Sequence, residues 1–250
     1  MTVVIIPARY ASTRLPGKPL AIISGMTMIE RVYRQCENAQ EIDAVFVATD
    51  HPAIVQEVER FGGRAVMTSP ECPSGTDRVF EAAQILELPD SAIVINVQGD
   101  EPLIDPKVIT ALARAMQEDD TIQVATPISP LTREEEITNP NVVTVVRNTK
   151  GDALYFSRTA IPYHRDTPTT SYLKHVGVYA YRMEALRQFV LLGESHLERK
   201  ERLEQLRLLE AGIPIRCVEV EYESVAVDSP EDIEKVEQRL QGQDGVNFSA

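Results

Sequence analysis

Three fixed cations stand close together near the amino end of the chain. They are Arg9, Arg14 and Lys18, in Pro7-Ala8-Arg9-Tyr10-Ala11-Ser12-Thr13-Arg14-Leu15-Pro16-Gly17-Lys18-Pro19-Leu20. Cations spaced by small residues suit phosphate, because the side chains neutralise charge while the backbone N–H groups can approach it. The segment lacks the G-x-G-x-x-G dinucleotide fingerprint. It is not a Walker A loop either, since Pro19 stands where a metal-binding Ser or Thr should follow the lysine. By charge count alone an ordinary solvated basic loop reads the same. What favours phosphate is the clustering of all three cations at an expected sheet mouth in an otherwise acidic protein.

Asp100 follows the apolar run Ile93-Val94-Ile95-Asn96-Val97 through Gln98-Gly99, which sets it at a strand's carboxyl end. A hard carboxylate there suits Mg²⁺ bridging triphosphate oxygens. A Gly-Asp turn asks for the same residue, and spacing does not separate the two readings. Asp228 ends Val225-Ala226-Val227, just before Ser229-Pro230-Glu231-Asp232. That tetrapeptide is a helix start with Ser as N-cap, Pro at N1 and an acid at N3. Asp228 is therefore not needed as a cap, and a second carboxylate beside Asp100 would sharpen a metal site. Ser74-Gly75-Thr76-Asp77 fits a capping box, and a helix N-terminus also receives anions and polar groups. His175 and Tyr179, read within one strand, share a face at spacing i and i+4. A lone strand histidine is more often structural. Glu204 and Gln205 lie in an expected helix from Leu197 to Leu209, where most charges form the wet face.

Positioning these residues requires a β-loop-α alternation. Val3 to Ile6 is an apolar β-branched run, the pattern of a strand buried on both faces. Ile29, Val32, Tyr33 and Cys36 make a helical stripe. Ala44 to Ala48 is the next strand, Ile54, Val55, Val58 and Phe61 mark a helix, and Ala65 to Met67 a third strand. Ser74 to Leu86 reads as helix and Ala92 to Val97 as a fourth strand. The expectation is an α/β, doubly wound, Rossmann-like fold with a mixed, mostly parallel sheet. Beyond about residue 120, Val142 to Val146, Ala153 to Phe156 and Val176 to Tyr181 read as strands of a small lobe. A strand from Ile215 to Val220 and a helix from Pro230 to Leu240 complete one domain over 1–241. Residues 242–250 are expected to be a flexible tail.

The 250 residues are 43% hydrophobic and 25% charged, with a formal net charge of −13. Such acidity argues against nucleic acid or anionic membranes as partners, although it leaves room for a small anionic substrate. Three isolated cysteines and four scattered histidines give no zinc pattern and suit a reducing compartment. No stretch is long enough for a membrane span, and the expected location is the cytoplasm.

The first loop resembles the PARxxSxRxPGKxL signature of sugar-nucleotide cytidylyltransferases with a glycosyltransferase-A-like fold. Four further motifs narrow the resemblance to the 3-deoxy-manno-octulosonate (Kdo) cytidylyltransferases. They are Ala48-Thr49-Asp50, Ser74-Gly75-Thr76-Asp77-Arg78, Asn96-Val97-Gln98-Gly99-Asp100-Glu101-Pro102 and Tyr155-Phe156-Ser157-Arg158. The likeness runs in order from Val3 to about Leu240. It implies CTP and Kdo as substrates, Mg²⁺ as cofactor and a homodimer, with about 140–190 as a possible contact. It implies Pro7, Ala8, Arg9, Ser12, Arg14, Lys18, Ser74, Gly75, Thr76, Arg78 and Gln98 on the nucleotide, with Arg14, Lys18 and Asp100 catalytic. Arg78, Gln98, Arg158, His175, Tyr179, Glu204 and Gln205 would meet the sugar, and Asp100 and Asp228 the metal. The approach Glu223-Ser224 departs from the glycine-containing one of several relatives. The alternatives are a same-fold enzyme for 8-amino-Kdo or sialic acid, and a non-catalytic nucleotide-binding module.

Overall fold

The computed structural model describes residues 1–11, 15–131, 133–165, 172–223 and 225–244. Along the chain, β1 (Thr2–Ala8) is buried throughout, as its apolar run requires. A 3₁₀ turn (Lys18–Leu20), then β2 (Ile22–Ile23) and β3 (Met26–Thr27), lead into α1 (Met28–Glu37). Thr27 caps α1 by accepting from the Glu30 N–H, and the stripe Ile29, Val32, Tyr33 and Cys36 is buried. β4 (Ala44–Thr49), α2 (Pro52–Arg60), β5 (Ala65–Met67), α3 (Gly75–Ile85), β6 (Ile93–Asn96) and α4 (Pro106–Glu118) continue the alternation. β7 (Val124–Leu131), α5 (Glu134–Ile137), β8 (Thr144–Arg147), β9 (Ala153–Ser157), β10 (Tyr172–His175) and β11 (Tyr179–Arg182) follow. The chain closes with α6 (Met183–Leu192), α7 (His196–Glu201), α8 (Leu206–Glu210), β12 (Ile215–Glu219) and α9 (Pro230–Asp244).

Contacts divide the chain into two compact units. The first holds 3–88, 96–109 and the described residues beyond 224. In it β5, β4 and β1 lie side by side, all parallel, with Pro7 opposite Ala48 and Ala8 opposite Thr49. α9 returns to this unit because its apolar side has a place to go. Ile233, Val236 and Leu240 pack with Ile23, Met28, Leu15, Leu103 and Val227. Burying one such side chain stabilises by about 1.5–3 kcal/mol, so this cluster fixes where the preceding Asp228 comes to rest.

The second unit holds 1–2, 89–95 and the described residues of 110–223. It is organised on β7, with β10 and β11 antiparallel to it and β12 parallel. β8 and β9 extend the antiparallel part outward from β10. The sheet is thus mixed, as expected. β7 itself escaped sequence reading because Pro127 and Pro130 interrupt its apolar pattern, and proline argues against a central strand.

Two expected elements are broken. The run Val176 to Tyr181 is not one strand: β10 ends at His175 and β11 starts at Tyr179. The Thr126 hydroxyl, which lies 2.8 Å from the Val178 carbonyl and 3.2 Å from that of Val176, holds the turn between them. The Leu197 to Leu209 helix is two short helices, because Arg202 adopts a left-handed conformation with φ 56°. At the end of the chain α9 runs past Gly242 to Asp244, and 245–250 lie outside the described residues.

Candidate active site

In the first unit, β1 delivers the chain into the basic loop. Arg9 and Tyr10 are exposed at its start, while the expected site residues Ser12 and Arg14 lie outside the described residues. The loop closes where the Gly17 N–H donates to the Tyr10 carbonyl at 3.2 Å. Gly17 has φ +66°, which strains any residue with a Cβ, and one added there would also face the Tyr10 ring at 3.7 Å. That turn aims Lys18 inward. Its ammonium lies 2.8 Å from Asp100 Oδ2 and 3.0 Å from Asp228 Oδ1, with only 13% of the lysine side chain exposed.

The two carboxylates are brought together by backbone. The Val227 N–H donates to the Asp100 carbonyl at 2.9 Å, tying the segment before α9 to the turn after β6. Gly99 permits that turn, because a Cβ there would meet the Pro7 carbonyl oxygen at 2.9 Å. Asp232 accepts from the N–H groups of Asp228 and Ser229 and from the Ser229 hydroxyl at 3.0–3.1 Å. Burial would raise the Asp232 carboxyl, but Lys235 and these donors outweigh it and bring it down to about 2. The sequence reading made Ser229 the cap; in the structure Asp232 receives the N–H groups at the helix start instead, and the Asp228 carboxylate lies against Lys18.

The place between Asp100 and Asp228 is built for a cation, and the lysine ammonium stands in it. Among the described residues no group of three or more His, Cys, Asp and Glu side chains gathers to hold a metal. Two carboxylates on separate segments nevertheless match the habit of Mg²⁺, which binds through one or two protein carboxylates and fills its octahedron with water and phosphate oxygens.

The N-terminus of α3 lies beside this turn. Ser74 caps it by accepting from the Asp77 N–H at 3.2 Å. A Cβ on Gly75 would sit 3.5 Å from Pro7 and 3.6 Å from Gln98 Oε1. Gln98 donates to Asn96 Oδ1 at 3.1 Å, and Asn96 donates to Thr76 Oγ1 at 3.4 Å. Pro7, Gly75, Thr76 and Gln98 are thus neighbours. Arg78 departs from the sequence expectation of a ligand-facing group. It is buried, with its guanidinium on Thr68 Oγ1 (2.6 Å), Ser69 O (3.2 Å) and Asp50 Oδ2 (3.0 Å). A guanidinium this enclosed needs its carboxylate. The other Asp50 oxygen accepts from the Tyr10 N–H at 3.0 Å, and the Tyr10 ring stacks on His51 with centroids 3.9 Å apart. Asp50 therefore anchors the start of the basic loop. Its place at the end of β4 was the available signal, in a motif to which the sequence assigned no role.

The second unit gathers the remaining candidates. His175 and Tyr179 meet with ring centroids 5.3 Å apart, although on different strands, so the turn between them does what a shared strand face was expected to do. His175 Nε2 lies 3.0 Å from Thr126 Oγ1. The threonine proton is directed at carbonyls, so the histidine is the donor. His175 keeps some accessible surface, but protein atoms crowd its ring, and burial pulls its pKa down to about 3. It is a neutral donor at neutral pH. Burial, and then the charges of Tyr181 and Glu204, push the Tyr179 hydroxyl well above its usual range. Gln205 is buried, and its Nε2 has no hydrogen-bond partner among the described residues. Arg158 turns its guanidinium onto three carbonyls: Glu201 at 2.7 Å, Pro140 at 2.9 Å and Arg202 at 3.2 Å. The sequence reading had left Glu201, whose carboxylate accepts from the Ser157 hydroxyl and the Arg158 N–H, among the charges of a wet helix face.

A cytidylyltransferase family model matches residues 3–224. A 3-deoxy-manno-octulosonate cytidylyltransferase of Myxococcus xanthus (strain DK1622) is 52% identical over 98% of this chain and 98% of its own length. One from Desulfatibacillum aliphaticivorans is 50% identical over 96% and 99%. A solved CMP:2-keto-3-deoxy-manno-octonic acid synthetase in complex with CTP superposes with a TM-score of 0.91 at 46% identity, covering 97% of this chain and 99% of that one. A cytidylyltransferase structure from Leptospira borgpetersenii, at 15% identity and a TM-score of 0.63, shares the fold.

Proposed function

This chain belongs to the 3-deoxy-manno-octulosonate cytidylyltransferases, and from that premise we propose that it couples Kdo to CMP, drawing the nucleotide from CTP and releasing pyrophosphate, to supply lipopolysaccharide biosynthesis. The observation that carries this reading within the site is the convergence of Asp100 and Asp228 on one cation position beside the basic loop. The anomeric 2-hydroxyl of Kdo attacks the α-phosphorus. The new O–P bond forms as the bond to the β-phosphate oxygen breaks, and the hydroxyl proton is released.

Asp100 and Asp228 would hold Mg²⁺, which when bound neutralises triphosphate charge and lowers the pKa of an attacking hydroxyl. Lys18, Arg9 and Arg14 neutralise the triphosphate, and positioning with charge compensation supplies most of the rate. The α3 N-terminus with Ser74, Gly75 and Thr76, beside Pro7, Ala8 and Gln98, receives the nucleotide. Arg78 acts here through Asp50, by holding the loop.

On the sugar side we assign Arg158, His175, Tyr179, Glu204 and Gln205. The Gln205 Nε2, unpartnered among the described residues, supports this, because a buried donor left unbonded costs about 1–3 kcal/mol and a sugar hydroxyl would satisfy it. Pyrophosphate release should be measured with each of the four NTPs against Kdo, 8-amino-Kdo and sialic acid. Turnover is expected with CTP and Kdo, and to stop on chelation of divalent cations. Comparable turnover with ATP, or activity that survives exhaustive chelation, would overturn the proposal.

We further place the enzyme in the cytoplasm as a homodimer. No described helix is long and apolar enough to cross a membrane, and all three cysteines are free thiols, as a reducing compartment favours. The dimer contact assigned to 140–190 is supported by β9, an edge strand whose Leu154 is 60% exposed. Leu154→Asp is expected to lower the mass seen by light scattering to that of one chain. An unchanged dimer would move the contact elsewhere.

A further inference from the structure

Glu204 and Gln205 sit on the corner between α7 and α8, and those helices are too short to fix the corner themselves. α7 has six residues and α8 five, with the left-handed Arg202 between them. Two carboxylates do that work. Glu198 pairs with the Arg207 guanidinium at 2.7 and 2.8 Å, both side chains being buried, and so ties α7 to α8. Glu201 ties the corner to the end of β9. Its Oε1 accepts from the Ser157 hydroxyl at 2.9 Å and its Oε2 from the Arg158 N–H at 3.0 Å. In return, Arg158 donates Nε to the Glu201 carbonyl and Nη2 to that of Arg202.

One carboxylate thus sets the Ser157-Arg158 strand end and the Glu204-Gln205 corner in a fixed register. Its two acceptor oxygens serve donors from two successive residues of the same strand end. An amide in the same place can accept with one oxygen only, and would turn its NH₂ toward a donor. We propose that Glu201 is a positioning residue for the sugar acid, aligning Arg158, Glu204 and Gln205 without touching the substrate. The inference rests on the function proposed above. It predicts a selective defect, because on the nucleotide side Lys18 is held by Asp100 and Asp228, and Gln98 by Asn96, rather than by Glu201.

The test compares steady-state kinetics of the wild type, Glu201→Gln and Ser157→Ala, varying Kdo and CTP separately. Glu201→Gln should raise the KM for Kdo about tenfold, as expected for losing a hydrogen bond to a charged group, and leave the CTP KM within about twofold. Ser157→Ala removes the shorter of two bonds to Oε1, leaving the Tyr155 hydroxyl at 3.4 Å, together with the acceptor of the Thr159 N–H. It should raise the Kdo KM by a smaller factor with the same selectivity, which keeps the question answerable if the Glu201 variant does not fold. Equal rises in both KM values, or no rise in either variant, would reduce Glu201 to a general structural tie and overturn the inference. A wild-type enzyme inactive with Kdo would remove the proposed function, and this inference with it, before any variant is compared.

Discussion

Asp228→Asn is expected to give a folded protein that still binds CTP but turns over about a hundredfold to ten-thousandfold more slowly, because metal-held charge stabilisation is worth several kcal/mol in the transition state. The substitution is isosteric, and the fold does not depend on the charge it removes. The α9 cap is made by Asp232, and the Ile233-Val236-Leu240 stripe anchors the segment. The ion pair with Lys18 is lost, but 43% of the Asp228 side chain is exposed, and a pair so wetted contributes at most about 1 kcal/mol. In a protein of this size that is a fall in melting temperature of about 2–4 °C. Calorimetry and CTP titration would establish integrity, and stopped-time pyrophosphate release would give kcat. A kcat near that of the wild type at limiting Mg²⁺ would show Asp228 to be a strand-end residue with no part in the chemistry.

Asp228 was legible in the sequence because the local grammar around it was complete. Ser, Pro and two acids announce a helix start, and a carboxylate that precedes a self-sufficient cap has no local work to do. β1 and α1 were equally plain, since a continuous β-branched run and an i, i+3, i+4, i+7 stripe each admit one burial. The failures share a cause. Val176 to Tyr181 and Leu197 to Leu209 have the right periodicity, but what breaks them is tertiary: the Thr126 hydroxyl in one case, the pull of Glu198 on Arg207 across a left-handed Arg202 in the other. Gly177 was a signal for the first break. Nothing local marked the second. β7 failed in the opposite direction, since its two prolines argue against a strand that the surrounding strands nevertheless complete. Arg78 shows where motif matching stops. The motif puts the residue near the site, but only the fold shows that its guanidinium is turned inward to Asp50, which holds the loop instead.

Lys18→Met should separate two roles that the wild-type geometry merges. Lys18 is assigned to the triphosphate, yet in the free protein its ammonium lies between the carboxylates proposed to hold the metal. A divalent cation cannot take that place while the ammonium keeps both oxygens, so metal binding must release the lysine. Release costs the ion pairs but frees a cation for the phosphates that arrive with the metal. On the proposed metal site, the lysine competes with the metal when CTP is absent, and the two act together when it is bound. The methionine variant keeps an unbranched apolar stem, one atom shorter, and removes the charge together with its N–H donors. Two opposite changes are therefore expected. Turnover should fall about a hundredfold to a thousandfold, the usual loss when one preorganised donor to developing charge is deleted. In the absence of nucleotide, Mn²⁺ used as a paramagnetic probe should bind about tenfold more tightly, because two carboxylates about 3 Å from a lost counter-charge are left to share a new one. Electron paramagnetic resonance of free Mn²⁺ reads this directly, independently of catalysis. If the variant loses activity while its Mn²⁺ affinity stays the same or weakens, the ammonium is a phosphate ligand only, and the metal must bind away from Asp100 and Asp228.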